Sequence, residues 1–479
     1  MSFLIFIIFF YIFIIHSNLN CKDWHKGLNN TYIENNLKKY GCQIKFPKFC
    51  PYKIGTYFLD LTKFYKIKCG KDSYGKKKTL KFSNSKYINK NTMRFGYPLT
   101  NKDSICLNYS EKVNNIYLYT KSNLIDMDNM EILKKKTYIP EIIVDFSKNK
   151  FGELKINVNY NKTLSKERKK LEKYIKPFSD NILILYLDSV SRSNGLRHLK
   201  KTLKFIGKFM PYKGFSNKLY PNEKYHAFQF LKFHSFIFHT RDNYPKMFYG
   251  RDKEKNMVRI TKYLKDNGYI TAFSNDMCRI DPCYLTRNMS QEENTDHQYL
   301  ICDPNRKGIS KMFKRCLIIN NDGHEGTLEV IKYDDEYIYK FLNDLFEDNL
   351  LKESTVMIMS DHGCPMPSLY FFNDFFKYEH HLPMLYVLIY DKQNLSYSEQ
   401  YKYLYQNQQK LITAYDIYNT IGYLIYGESY KKIKSKEKSH KDTPKTKFGK
   451  SIFSKIDSKR TSSDYKSMSI DICITVKRK

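Results

Sequence analysis

The feature that most constrains the fold is Asn181-Ile-Leu-Ile-Leu-Tyr-Leu-Asp188-Ser-Val-Ser-Arg192. Apolar or aromatic residues run unbroken from Ile182 to Leu187, with no alternation between inward and outward positions. A short run of this kind reads as a strand buried on both faces, as in a parallel sheet. It ends on an acid. In open α/β sheets, ligands gather beyond the carboxyl ends of the strands. An Asp there is placed to hold a metal or polarise a substrate, and capping of the next turn is the bland reading of Asp188. A second segment repeats the pattern, Thr355-Val-Met-Ile-Met-Ser-Asp361-His362-Gly363. Two strands that each deliver an acid to one edge shift the balance towards chemistry.

The 479 residues suffice for one large α/β domain and a smaller one. The formal net charge of +33 is spread along the chain, with Lys densest in the last fifty residues. No basic stripe interleaved with aromatics stands out, which argues against a nucleic-acid binder. Anionic glycans or membrane surfaces stay open as partners on charge alone.

Phe3 to Ile15 is a thirteen-residue apolar run, short for a membrane span and fitting a signal-peptide core. An uncleaved signal anchor is the alternative, and would make this a type II membrane protein. Sequons at Asn29, Asn108, Asn161, Asn288 and Asn394 agree with entry into the secretory pathway. Eleven cysteines in that setting imply disulfides, with an odd thiol left over unless Cys21 departs with the leader. The expected location is extracellular or a secretory lumen.

The expected order is a leader over 1–20, then a smaller Cys-containing, β-rich domain over 21–179. In the latter, Glu141-Ile-Ile-Val-Asp and Glu153-Leu-Lys-Ile-Asn alternate like the arms of a hairpin. Over 180–427, strands and helices take turns, the texture of an α/β domain. Ile338, Phe341, Leu342 and Leu345 share one face of a helix over 334–350. Residues 428–479 are rich in Lys and Ser, and Phe448 to Phe453 is expected to dock back.

The polar residues at strand ends are Asp188, Thr240, Asp276, Asp322, His324, Asp361, His362, His380 and His381. Asp and His are standard ligands for zinc and related ions. Metal coordination lowers the pKa of a hydroxyl and makes a Thr competent as a nucleophile. Asp361-His362-Gly363 is the most specific signal, because past the strand end Gly363 permits a turn that brings both side chains to one ion. Thr240 reads equally well as a helix N-cap, His324 as a loop histidine, and at most one of His380 and His381 faces a site.

These segments together resemble an uncharacterised animal family, numerous in nematodes, within the alkaline phosphatase-like and sulfatase superfamily. The resemblance rests on Leu187-Asp-Ser-Val-Ser-Arg192 and Met359-Ser-Asp-His-Gly363 in this order. His239-Thr-Arg-Asp-Asn243, Asp322-Gly-His-Glu-Gly-Thr327 and Asp416-Ile-Tyr-Asn-Thr-Ile support it. It implies an alkaline phosphatase-like three-layer sandwich with a central, mostly parallel sheet. It further implies a metal-dependent hydrolase or transferase acting on phosphate or sulfate esters, with Thr240 as nucleophile. Asp188, Thr240, Asp361 and His362 would hold the metal. Asp322, His324 and one of His380 or His381 would hold a second metal or the substrate. Gly323 alone separates Asp322 from His324, closer than the two-metal phosphodiesterases of the superfamily keep this pair, which favours one divalent ion, zinc or manganese, over two. No Cys-x-Pro-x-Arg follows Asp188, which removes the formylglycine route of sulfatases. A catalytically inactive extracellular binder of glycans or proteins on the same fold is the alternative.

Overall fold

The structure, a computed structural model, describes residues 42–44, 86–89, 92–95, 103–109, 116–120, 141–145, 153–157, 161–172, 176–210, 224–236, 239–250, 259–275, 296–300, 330–363, 374–392, 395–433, 444–465 and 473–475. The leader, Asp276, Asp322, His324 and Cys278, Cys283, Cys302 and Cys316 lie outside them. The chain divides into two compact units. One comprises Met1–Asp60, Pro177–Met257 and Asn321–Lys479, and the other Leu61–Lys176 and Val258–Asn320.

A four-stranded sheet forms the centre of the first unit, with strands β1 (Asn181–Tyr186), β2 (Tyr225–Gln229), β4 (Ser354–Met359) and β5 (Leu385–Tyr390). A two-residue strand, β3 (Phe233–His234), lies outside it. The order across the sheet is β1-β4-β5-β2. β1 and β4 are parallel, from Ser354 opposite Asn181 to Met359 opposite Tyr186. β5 runs against both β4 and β2. The sheet is therefore mixed, where the resemblance implies a mostly parallel one. β1 is also less buried than its unbroken apolar run predicts. Its residues are exposed or half-buried, and among the described strands it has a neighbour on one side only. β4, flanked on both sides, is buried from Thr355 onward.

Helices cover both faces. Val356, Ile358, Tyr386 and Leu388 share a core with α2 (Lys200–Gly207) and α4 (Asp335–Glu347), which contribute Phe205, Ile206, Ile338 and Leu342. Phe341, expected on that buried face, is instead 41% exposed. On the opposite face, Tyr186 meets Tyr244 and Phe248 of α3 (Thr240–Phe248) edge-on. The alternation of Ile358 towards one helix layer and Met359 towards the other follows from the period of two along a strand. Burying each aliphatic side chain contributes about 1.5–3 kcal/mol.

α1 (Arg192–His198) follows β1 directly, and α5 (Asp374–His381) feeds into β5. After α6 (Glu399–Asn407), α7 (Ala414–Tyr426) is capped by a Thr413–Asp416 capping box and is buried almost throughout. The following chain docks on it. Ile452, Phe453 and Ile456 are buried, and Asn419 Nδ2 donates to the carbonyls of Thr446 and Gly449.

In the second unit, strands Glu141–Asp145 and Glu153–Asn157 pair antiparallel, as their alternation predicts, within a four-stranded sheet that includes Lys86–Asn89 and Thr92–Phe95. Asp296 ties this unit internally, accepting from Thr271 N at 2.8 Å and from Arg168 Nη2 at 2.6 Å.

Candidate functional site

β1 and β4 are parallel and in register, so their carboxyl ends fall side by side. Asp188 follows the end of one and Asp361 follows the other. Ligand atoms of Asp188, Asp361 and His362 lie within 4.8 Å of one another, and all three residues are buried. Thr240, the first residue of α3, joins them. Its Oγ1 donates to Asp188 Oδ1 at 3.1 Å and lies 3.1 Å from His362 Nε2. The N-cap of α3 is His239, so the capping reading of Thr240 falls away and its hydroxyl faces the acids instead. Asn243, fully buried one turn on, accepts from Phe236 N at 2.8 Å and donates to His239 O at 3.2 Å, which fixes the start of the helix.

The two acid-bearing turns are held by residues that sequence reading passed over. Ser189 takes a left-handed conformation, φ 60°, uncommon for a residue with a side chain. Such strain concentrates at functional sites and costs about 1–3 kcal/mol. The turn points Ser189 N–H towards Asp361 Oδ1, 3.5 Å away, and lets its Oγ donate to Asp188 Oδ1 at 3.2 Å. Ser360 accepts from Val190 N at 2.9 Å and donates to His362 O at 2.7 Å, fastening one turn to the other. The serines flanking the two acids, Ser189 and Ser191 after Asp188 and Ser360 before Asp361, were the available signal.

His362 Nδ1 sits 2.7 Å from the carbonyl of Gly363, a contact that requires the proton on Nδ1. Nε2 is the ring nitrogen left to face the site. It faces the Thr240 hydroxyl and, at 3.4 Å, Asp361 Oδ2. Asp361 Oδ2 is buried and accepts no hydrogen bond among the described residues. Two buried carboxylates side by side, one with an oxygen that has no donor among the described residues, are costly without a cation between them. The donor set of two carboxylates and an imidazole fits a divalent ion, and three protein ligands are the usual number in a catalytic zinc site. Asp188, Asp361 and His362, with the Thr240 oxygen beside them, are the residues that would hold it.

The two adjacent histidines part ways. The His380 ring stacks on His362 with centroids 5.1 Å apart. His381 turns away, stacking on His234 and meeting Ser235 Oγ through Nδ1 at 3.0 Å. Burial, with the neighbouring His234, His380 and His362, pushes the His381 pKa well below the ordinary histidine value, so it stays neutral. His380 is thus the one that touches the cluster.

The family described as "Protein of unknown function (DUF229)" matches residues 294–474, a stretch that contains Asp361, His362 and His380 but not Asp188 or Thr240. No curated protein matches the chain. Among solved structures, the chain is similar to the lipoteichoic acid synthase LtaP from Listeria monocytogenes, at 11% identity and a TM-score of 0.35 over 60% of this chain and 81% of that one. It is similar to the C-terminal periplasmic domain of EcEptC from Escherichia coli in complex with Zn, at 11% identity and a TM-score of 0.34 over 53% and 85%. A protein of the alkaline phosphatase superfamily from Vibrio parahaemolyticus matches at 10% identity and a TM-score of 0.28 over 53% and 78%.

Proposed function

We propose that the chain is a metal-dependent hydrolase or transferase of phosphate or sulfate esters, with Thr240 as nucleophile. The observation that carries this is the position of Thr240 Oγ1, 3.1 Å from both Asp188 Oδ1 and His362 Nε2, at the rim where two strands end in acids. A divalent ion held there would supply Lewis-acid stabilisation and a lowered hydroxyl pKa.

In this reading the Thr240 hydroxyl gives up its proton to a neighbouring base as its oxygen bonds to phosphorus or sulfur. Asp188 Oδ1 already accepts that hydrogen bond. The ester oxygen leaves, and the group rests on Thr240 until water or an acceptor alcohol displaces it. Thr240 opens α3, so the positive end of the helix lies beside the oxygen that receives the group, which favours an anionic ester. His380, stacked on His362, is the candidate to orient the substrate; Asp322 and His324 are the sequence's further candidates. One ion, zinc or manganese, is the expected complement. Secretory or lumenal location is part of the same reading. It draws on the leader-like run and the sequons, and Cys42 is disulfide-bonded.

The test is hydrolysis of an aryl phosphate diester and an aryl sulfate by the purified, metal-loaded chain. Thr240→Ala is expected to lose roughly a thousandfold or more in kcat, the scale on which nucleophile deletions fall. Thr240→Ser, which keeps an oxygen in place, should retain turnover. Equal rates in the parent and Thr240→Ala would remove the nucleophile from the proposal.

A further inference from the structure

Glu379 stands outside the acid trio, yet it touches both turns that carry it. Its carboxylate is fully buried. Oε2 accepts from Ser191 Oγ at 2.5 Å, and Oε1 accepts from Arg197 Nη1 at 2.6 Å. Ser191 lies three residues after Asp188 and is the N-cap of α1, its Oγ also accepting from Asn194 N at 2.9 Å. Through Ser191, the Glu379 carboxylate therefore grips the Asp188 turn.

The main chain around Glu379 grips the other turn. Gly363 N donates to His380 O at 2.7 Å. A Cβ added at Gly363 would sit 1.5 Å from the carbonyl oxygen of Glu379 and 2.9 Å from Ser191 Cβ. Ser191, Gly363 and Glu379 thus meet at one point, adjoining His362 and three residues from Asp188. Only a glycine lets the Asp361-His362 turn come this close.

A buried ion pair is a poor way to gain stability, since apolar residues of similar volume hold helices together as well. Glu379 would serve α1 and α5 no better than a Leu if tying helices were its whole role. What a Leu cannot do is take the Ser191 hydroxyl beside the point where His380 O holds Gly363 N. Groups that orient metal ligands without touching the metal commonly set its affinity.

We infer that Glu379 is a positioning residue that fixes the Asp188 turn against the Asp361–His362 turn, and so sets the affinity for a divalent cation. The cation part rests on the proposed metal-dependent function; the positioning of the turns does not. Two measurements on the full chain separate them. One is zinc affinity by titration calorimetry. The other is hydrogen exchange of the Val190 and Gly363 amides, one in each turn, in metal-free protein.

Glu379→Ala is expected to weaken zinc binding roughly ten- to hundredfold, and to unprotect both amides while those of β4 and β5 stay protected. Glu379→Gln, which can still accept from Arg197 and reach Ser191, should recover most of the affinity. Arg197→Gln should lower Tm with little change in zinc affinity. Should Glu379→Ala fail to fold, Ser191→Ala cuts the same link and leaves the ion pair, and it is expected to weaken zinc likewise. Parent-like zinc affinity and parent-like protection of both amides, in whichever of Glu379→Ala and Ser191→Ala folds, overturn the inference. If the parent takes up no zinc but the amides still lose protection, the cation reading falls and the positioning of the turns stands.

Discussion

Two buried aspartates in the same unit show how differently a fold can treat one side chain. Asp416, at the start of α7, is saturated with donors. Thr413 N and Oγ1 reach Oδ2 at 2.7 and 3.0 Å, Lys450 N reaches Oδ1 at 2.6 Å, and Arg460 grips both oxygens at 3.0 and 2.9 Å. Asp361 is just as deeply buried, but Oδ1 has only two long contacts of 3.5 Å and Oδ2 accepts nothing. Its neighbours are another carboxylate and the His362 imidazole. Among the described residues the first acid is saturated with donors, while the second keeps an oxygen without one. Burial alone does not mark a site; unmet demand for positive charge does.

The largest contrast should come from neutralising each acid in turn. Asp416→Asn breaks a buried pair and leaves Arg460 without its carboxylate, a loss of about 3–5 kcal/mol. Asp361→Asn, in chelator, should leave stability unchanged or raise it, because it removes one of two neighbouring negative charges. Urea denaturation of both variants decides this, and an equal loss in the two would erase the distinction drawn here.

Added zinc sharpens the comparison at a smaller scale. At a free concentration near one hundred times Kd, binding to the native state alone adds about 2.7 kcal/mol. Melting scans should show that gain in the parent and, from a lower baseline, in Asp416→Asn. Asp361→Asn should show none, and EDTA should return the parent to its starting Tm. A zinc shift undiminished in Asp361→Asn would place the ion elsewhere.

The smallest effect concerns a buried histidine on β2. His226 is buried, with Tyr401 Oη 3.2 Å from Nδ1 and Asp391 3.8 Å from Nε2. Burial lowers its pKa, and the Asp391 charge offsets this only in part. The unfolded chain therefore binds the proton first, near the ordinary pKa of about 6.5. Stability contributed by neutral His226 is present above that pH and declines as pH falls below it. His226→Gln should flatten the metal-free stability curve on the acid side. An unchanged slope between pH 6.5 and 5 would remove His226 as its source.

The sequence by itself determined the parts that depend on local order. The apolar runs ending in Asp188 and in Asp361-His362 set two strands and the acids beyond them. The alternation at 141–145 and 153–157 set a hairpin, because pleating has a period of two. Only the tertiary structure decided how those parts combine. It made the sheet mixed and left β1 with a single described neighbour, since pairing partners far apart in the chain carry no local signal. It told Thr240 the hydroxyl donor from Thr240 the cap, and His380 from His381, because adjacent residues on one helix point different ways. It also chose which buried acid to satisfy. Arg460, 44 residues on, brings two donors to Asp416, whereas among the described residues Asp361 Oδ2 receives none.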